Sequence, residues 1–227
     1  MQSCRVSLFA LVLLTVFSGA AQGTALGPVT ELFGPVNFTG PSTVIDFDDY
    51  PQPTAANTLY LSQGVEFQNT GTGAPVPIEN WTALGRTTTY PTNVIATVDD
   101  LDGTGSEFSA FLDLFFTSPT LEVGAYFGND QGIQPTMQMQ LSVFDVNDAL
   151  IGLVLVDVNQ NTSVDQFAGL RSDSTPFYRA RFEHILAQGD LSVVLDDVQF
   201  TTPVPEPSSL VLLGCGLGVM ARLRRRK

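Results

Sequence analysis

The chain has 227 residues, of which 44% are hydrophobic and 15% are charged, and its formal net charge at pH 7 is −13. Because nucleic acids and anionic lipids are bound through basic surfaces, this acidic balance disfavours both partners and favours divalent cations. The two cysteines, Cys4 and Cys215, lie near the ends of the chain. The region between them therefore has no disulfide, no thiol nucleophile and no thiolate metal site.

The first 21 residues have the pattern of a secretory signal peptide. Arg5 precedes an apolar stretch at residues 6–17, and small residues follow at positions 18–21. This order is typical of a segment that directs a chain to the Sec translocon and is removed, here after Ala20 or Ala21. We therefore expect residues 22–202 to be exported as one domain, which is long enough to bury a sizeable core.

Short segments with a two-residue period recur through the exported domain. They are rich in Val, Phe, Leu and Thr and are bounded by Gly, Pro, Asn and Asp, as β-strands separated by turns are. Asp145 and Asp148 bound a turn sequence, so the strands beside it are expected to form a hairpin. The pattern predicts an all-β fold, a single antiparallel β-sandwich of jelly-roll or related topology. The predicted strands span residues 44–47, 64–67, 93–98, 108–116, 120–127, 137–144, 149–158, 177–185 and 191–200.

The single histidine, His184, is predicted to be a packed residue. By the alternation of its strand it shares a face with Tyr178, Ala180 and Phe182. A catalytic triad or a histidine-rich metal site would have to be built around this one side chain. The sequence also contains no His-Glu-x-x-His, Gly-x-Ser-x-Gly, phosphate-loop or dinucleotide motif. We therefore expect no enzymatic activity.

Three acidic clusters are candidates for binding calcium through carboxylate and carbonyl oxygens. In the first cluster, alternation places Asp46 and Asp48 on one face and Phe47 in the core. The second cluster runs from Asp99 to Glu107. It has acids at alternate positions, a glycine and a later glutamate, although its spacing is not that of an EF-hand. The third cluster, Asp196 and Asp197, is expected to bind calcium together with the first. For all three, the alternative is a solvated turn or strand end. The candidate ligands are Asp46, Asp48, Asp99, Asp100, Asp102, Glu107, Asp196 and Asp197.

Three aromatic residues are candidates for carbohydrate binding, because sugar sites on β-sandwiches combine aromatic platforms with amides and acids. Trp81, the only tryptophan, lies in a Pro- and Gly-rich stretch at residues 71–91 that also contains Tyr90. Tyr126 is the third candidate. The alternative for Trp81 is that it fills the core from its loop.

The C-terminal 25 residues combine three features in a fixed order. A Pro-Glu-Pro tripeptide ends residues 203–207 and keeps this linker extended and non-helical. The apolar residues 208–221 form a candidate transmembrane segment, which as a helix is about 20 Å long and therefore short for a full span. The tail at residues 222–227 has five basic side chains, which are expected to hold that end of the chain in the cytoplasm.

This arrangement closely resembles the PEP-CTERM sorting signal of bacterial envelope proteins. The resemblance implies cleavage near the tripeptide by a membrane-embedded, exosortase-like transpeptidase and transfer to the cell exterior, often in exopolysaccharide producers. An ordinary single-span anchor behind a proline-rich linker is the alternative. The residues that carry the resemblance are Pro205, Glu206, Pro207, Arg224, Arg225 and Arg226.

A second resemblance concerns residues 167–200. A Phe-x-Gly-Leu-Arg-Ser segment, a strand ending in Arg-Phe-Glu and a last strand with an Asp-Asp pair are similar to the closing strands of concanavalin-like and carbohydrate-binding sandwiches. In such binding modules an aspartate of the last strand often helps to hold a structural calcium. The resemblance implies this role for Asp196 or Asp197.

Together these features predict an exported, non-catalytic protein of the cell surface or extracellular matrix. The chain would first be anchored in the cytoplasmic membrane and then be processed by an exosortase. The alternative function is a calcium-dependent carbohydrate-binding module acting on exopolysaccharide. The third hypothesis for the function is a hydrolase that uses paired carboxylates. Calcium is the only cofactor that the sequence suggests.

Overall fold

The structure, a computed structural model, describes residues 23–80, 87–88, 93–97, 111–128, 137–159, 161, 163–185 and 192–201. Two short 3-10 helices accompany the strands in these ranges, η1 at Pro35–Asn37 and η2 at Leu61–Gln63. The strands, in chain order, are β1 (Thr24–Leu26), β2 (Val29–Leu32), β3 (Ser42–Ile45), β4 (Thr54–Ala55), β5 (Val65–Gln68), β6 (Pro77–Asn80), β7 (Thr87–Thr88), β8 (Asn93–Ala96), β9 (Phe111–Thr120), β10 (Glu122–Gly128), β11 (Gln138–Phe144), β12 (Leu150–Asp157), β13 (Ser163–Val164), β14 (Gln166–Ser172), β15 (Phe177–Ile185) and β16 (Val194–Thr201).

The strands form two antiparallel sheets. The six-stranded sheet has the order β1-β12-β11-β15-β9-β5. The eight-stranded sheet has the order β2-β14-β10-β16-β8-β6-β4, and β3 also pairs with β16. A short parallel pair, β7 and β13, forms a separate ladder, and Val164 of β13 packs against Val94 and Val194 of the eight-stranded sheet. This all-β architecture confirms the predicted β-sandwich.

The core lies between the two sheets and draws apolar side chains from both. Leu112 and Leu141 of the six-stranded sheet are fully buried in one cluster with Val123 and Leu195 of the eight-stranded sheet. Each sheet buries one face against the other, because successive side chains of a strand point to opposite faces. Apolar surface removed from water in this way stabilises the fold by roughly 25 cal/mol per Å².

The predicted hairpin is present between β11 and β12, which pair from Gln138 with Asp157 to Phe144 with Leu150. Its turn is ordered by Asp145, whose Oδ1 accepts hydrogen bonds from the backbone N–H groups of Asn147 (2.8 Å) and Ala149 (2.9 Å). These hydrogen bonds to the charged form hold the pKa of Asp145 below its usual value. The turn chemistry read from the sequence therefore sets the register of the two strands.

The alternation predicted for β15 is correct for most of the strand and wrong at its start. Ala180, Phe182 and His184 are buried on the core face, as expected. The ladder to β9, however, shifts register between Phe177 and Arg179. Phe177 is therefore the fully buried residue, and Tyr178 is only half-buried. An irregularity of this kind re-aims one side chain and cannot be read from a two-residue period.

Candidate functional site

The first and third acidic clusters lie close together because β3 pairs with β16. Ile45 is opposite Val198, so the residues after Ile45 lie beside those before Val198. Phe47 is fully buried and packs edge-on against Tyr60 and Phe67, at 5.6 and 5.5 Å between ring centroids. Phe47 lies beyond the end of β3 with a positive φ of 61°, so strand alternation does not extend to its neighbours. Asp46 is exposed, whereas Asp48 is half-buried and its Oδ2 is shielded from solvent.

Neighbouring carboxylates contribute to the raised pKa values of Asp197 and Asp48. The pKa of Asp197 is raised by burial and then by the negative charges of Asp46 and Asp48. The pKa of Asp48 is also raised, chiefly by burial, although a hydrogen bond from the backbone N–H of Asn93 (3.3 Å) opposes the shift. Asp196 is fully buried, and its Oδ1 accepts a 2.8 Å hydrogen bond from the N–H of Asp197. A cation at this position would relieve the repulsion among the carboxylates.

The described residues do not by themselves form a metal centre. Among them, no group of three or more His, Cys, Asp or Glu side chains is arranged to hold a metal ion. The acids of the second predicted cluster, Asp99, Asp100, Asp102 and Glu107, lie outside the described residues. A calcium ion beside Asp46, Asp48 and Asp197 would therefore need further oxygen ligands, and calcium binding stays a prediction.

Tyr126 lines a cavity of about 380 Å³ that is bordered by residues of the eight-stranded sheet and by Val156 of β12 in the six-stranded sheet. Its ring meets that of Phe167 edge-on, at 5.3 Å between centroids, and Phe33 contributes a side chain that is 59% exposed. Burial raises the pKa of Tyr126, and the negative charge of Asp197 adds to the shift. The other two predicted aromatic residues, Trp81 and Tyr90, lie outside the described residues.

The polar rim of the Tyr126 cavity was not predicted from the sequence. Glu31 accepts a 3.0 Å hydrogen bond from the N–H of Gly23, and burial raises its pKa. Asp165 accepts hydrogen bonds from the side-chain amides of Asn159 (2.7 Å) and Asn161 (3.0 Å). These acceptors are held in place by local bonds beside aromatic rings. Such a combination suits a ligand that offers both apolar faces and hydroxyl donors.

Phe167 holds its place beside this cavity because two glycines lie beneath it. Gly124 of β10 is directly opposite Gly169 of β14. A Cβ atom on Gly124 would be 2.4 Å from Cζ of Phe167, and one on Gly169 would be 2.5 Å from Cε1. The ring can therefore lie against the backbone only while both positions carry no side chain.

A buried ion-pair network lies on the outer face of the six-stranded sheet. Asp113 of β9 accepts hydrogen bonds from Arg181 Nε (2.8 Å) and Nη2 (2.7 Å) and from Arg179 Nη1 (2.7 Å). Burial alone would raise the pKa of Asp113, but the hydrogen bonds from Arg181, Thr70 and Arg179 outweigh burial and lower it. Arg179 also binds Asp148 in the hairpin turn, at 2.6 and 2.7 Å.

Each arginine of the network also lies on an aromatic ring. The guanidinium carbon of Arg179 is 3.6 Å from the ring centroid of Phe144, and that of Arg181 is 4.1 Å from that of Phe111. The network lines a cavity of about 410 Å³. Its donors are largely used within the protein, so its clearest effect is to hold β9, β15 and the hairpin turn together. The only sign of this network in the sequence is that Arg179 and Arg181 lie on one face of a predicted strand.

His184 is buried, with 4% of its surface exposed, and its pKa is lowered to about 4 by that burial. Within the part of the chain that the structure describes, neither of its ring nitrogens has a hydrogen-bond partner. A general base must be within hydrogen-bonding distance of the proton that it abstracts and must be accessible to substrate. The position of His184 is that of a packed core residue, as the sequence predicted.

The described part of the chain is thus an all-β sandwich of two antiparallel sheets. Its residues 203–227 match the family profile of the PEP-CTERM protein-sorting motif. The chain therefore carries a PEP-CTERM signal, which marks proteins for the cell envelope or surface and implies processing by an exosortase. The residues of this signal lie outside the described part of the chain.

No curated protein matches the chain significantly in sequence. Among solved structures, the crystal structure of the K2 cleaved adhesin domain of Lys-gingipain aligns with a TM-score of 0.34 and 13% identity, over 77% of this chain and 99% of that one. Among the described residues there is no helix with the length and apolar character needed to cross a membrane. The predicted membrane segment, residues 208–221, is outside them.

Proposed function

We propose that the protein is an exported, non-catalytic component of the cell surface or extracellular matrix. The observation that carries this proposal is the PEP-CTERM motif at residues 203–227. In this proposal the Sec translocon exports the chain through its signal peptide. Residues 208–221 then hold it in the cytoplasmic membrane, with the basic tail inside, until an exosortase-like transpeptidase acts. The buried position of His184 and its low pKa support the non-catalytic part.

Replacing both Pro205 and Pro207 by Ala tests the sorting step. Alanine allows helix to extend into the linker and removes the extended conformation that an enzyme can reach. We expect the variant to keep its C-terminal segment and to stay with the cytoplasmic membrane fraction. The measurement is the mass of the mature protein together with its location in cell fractions. A wild-type protein that retains residues 203–227 in cells would contradict processing and leave a simple anchor.

The alternative function is calcium-dependent binding of exopolysaccharide. It is favoured by the Tyr126 cavity, where aromatic rings stand beside fixed carboxylate and amide groups. It is also favoured by the proximity of Asp46, Asp48 and Asp197, whose mutual repulsion a cation would reduce. In this alternative the sugar contacts the aromatic rings, and the cation orders the neighbouring strand ends.

The alternative predicts that the mature protein is retained on the producing cell's exopolysaccharide in calcium and released by a chelator. Tyr126→Ala should weaken retention by about tenfold, because loss of an aromatic contact costs roughly 1 kcal/mol or more. A matched control is Tyr178→Ala, which removes a half-buried tyrosine from the opposite sheet. Equal elution of wild type and Tyr126→Ala, or no retention in either buffer, would leave the surface role without this binding activity.

A further inference from the structure

A cavity of about 420 Å³ opens beside the end of the last strand. Thr201, the last described residue, lines it together with residues 39–41, 119–122 and 171–173. Strand pairing brings these segments together, because Ser42 is opposite Thr201 and Glu122 is opposite Arg171. The cavity therefore lies where the chain leaves the sandwich and continues toward the sorting signal.

The two charged groups of this cavity, Glu122 and Arg171, differ in how fully hydrogen bonds and ion pairs use their polar atoms. Glu122 is 1% exposed, and its carboxylate accepts hydrogen bonds from the N–H of Thr39 (3.0 and 3.1 Å) and from Thr39 Oγ1 (2.6 Å). Arg171 Nη1 is 3.6 Å from Glu122 Oε1, which is long for an ion pair, and a third of the Arg171 side chain is exposed. The other arginines that the structure describes, Arg179 and Arg181, bind carboxylates at 2.6–2.8 Å.

The guanidinium of Arg171 can therefore donate N–H hydrogen bonds to a ligand in the cavity. A guanidinium has five N–H donors, and it pairs best with a carboxylate at 2.7–2.9 Å. Pro41, Pro119 and the 42%-exposed Leu121 form apolar walls beside it. Asp173 at the rim already accepts a hydrogen bond from Thr30 Oγ1 at 3.1 Å. A ligand for this site would be a short, apolar segment that carries one carboxylate.

We propose that the cavity binds the chain's own residues 202–207, with Glu206 paired to Arg171. This segment reads Thr-Pro-Val-Pro-Glu-Pro, so it offers apolar proline and valine side chains and a single carboxylate. It starts at the cavity wall, directly after Thr201. Five extended residues cover at most about 18 Å, so Glu206 cannot be far from the opening.

Docking would place the sorting tripeptide under the control of the folded domain. This consequence rests on the proposed function, since it assumes that an exosortase must reach the tripeptide. Cleavage would then require the segment to leave the cavity, and the docked fraction would set how much substrate is available. The folded sandwich and the enzyme would compete for the same six residues.

The test is the NMR signal of the Arg171 side-chain Nε–H in the ¹⁵N-labelled full chain in detergent micelles. Replacing Glu206 by Gln should shift this signal and speed its hydrogen exchange about tenfold, because a hydrogen bond to a charged group is lost. The substitution lies beyond Thr201, so it leaves the core unchanged. Asp157→Asn is the matched control, since it removes one exposed carboxylate at the other end of the sandwich and should leave the Arg171 signal unaltered.

An Arg171 signal that is the same in wild type and Glu206→Gln would overturn the proposal. A difference that disappears on dilution would also overturn it, because the cavity would then hold the segment of a second copy. Neither outcome depends on an exosortase. The Pro205 and Pro207 substitutions test processing separately, so failure of docking and failure of sorting can be distinguished.

Discussion

His184 is a polar residue in a position that the strand pattern assigns to an apolar side chain. Its neighbours on the core face, Ala180 and Phe182, are fully buried. Desolvation penalises the protonated form of a buried imidazole, so the ring stays neutral and its pKa falls from 6.5 to about 4. The unfolded chain has no such penalty. Its histidine therefore binds a proton at a pH where the folded chain cannot.

This difference predicts that His184 lowers stability as pH falls from 6.5 to 4 and has no effect above that window. Linkage gives a loss of about 2 kcal/mol between pH 7.5 and 5.0. His184→Met removes the titrating group and keeps a flexible apolar side chain. Denaturant unfolding of both proteins at the two pH values measures the effect. The carboxylates are common to both, so equal pH dependence of the two proteins would contradict the prediction.

At the scale of elements, the packing of β10 against β14 depends on the glycine pair. Gly124 and Gly169 weaken a strand by themselves, because glycine loses most conformational freedom on folding. Here they create the space in which the Phe167 ring covers both strands. The ring in turn meets Tyr126, so this packing also shapes one wall of the candidate carbohydrate cavity.

Gly124→Ala is expected to displace Phe167 and to lower the free energy of unfolding by about 1–3 kcal/mol, the usual cost of overpacking. In a Phe167→Ala background the same change should cost much less, because the ring that it meets is absent. Denaturant unfolding of the two single variants and the double variant gives the coupling free energy. Additive effects would show that the ring and the glycine do not share this space.

The same elements show what the sequence could predict. The β11–β12 hairpin was predicted correctly, because alternation and an Asp-rich turn are local signals. β14 was missed among the strands, since its glycine resembles a turn signal until its partner across the sheet is known. The Asp113 network and the cavity at Arg171 were missed for a related reason. Both depend on which strands become neighbours, and sequence spacing does not give that.

At the scale of the whole molecule, the two ends of the sandwich are distinct. The turn after β11, residues 117–121, residues 172–176 and Thr201 all lie at one end, as the strand registers require. The PEP-CTERM motif follows directly from this end. The sorting motif at residues 203–227 could be predicted from the sequence because it is a linear pattern. The site at this end could not, because it is assembled from four separate segments.

β16 has a mechanical consequence for a protein that is held by its C-terminal side. It is bonded along one edge to β10 and along the other to β8 and β3, so the strand leading to the attachment point is central in its sheet. Tension pulling on Thr201 acts along the strand and across hydrogen bonds that run perpendicular to it. Many bonds on both edges must then slide together before the strand moves. A strand at the sheet edge would instead peel away one bond at a time. If the protein is held through residues that follow Thr201, as proposed, the load enters the described sheet through a strand that is bonded along both edges.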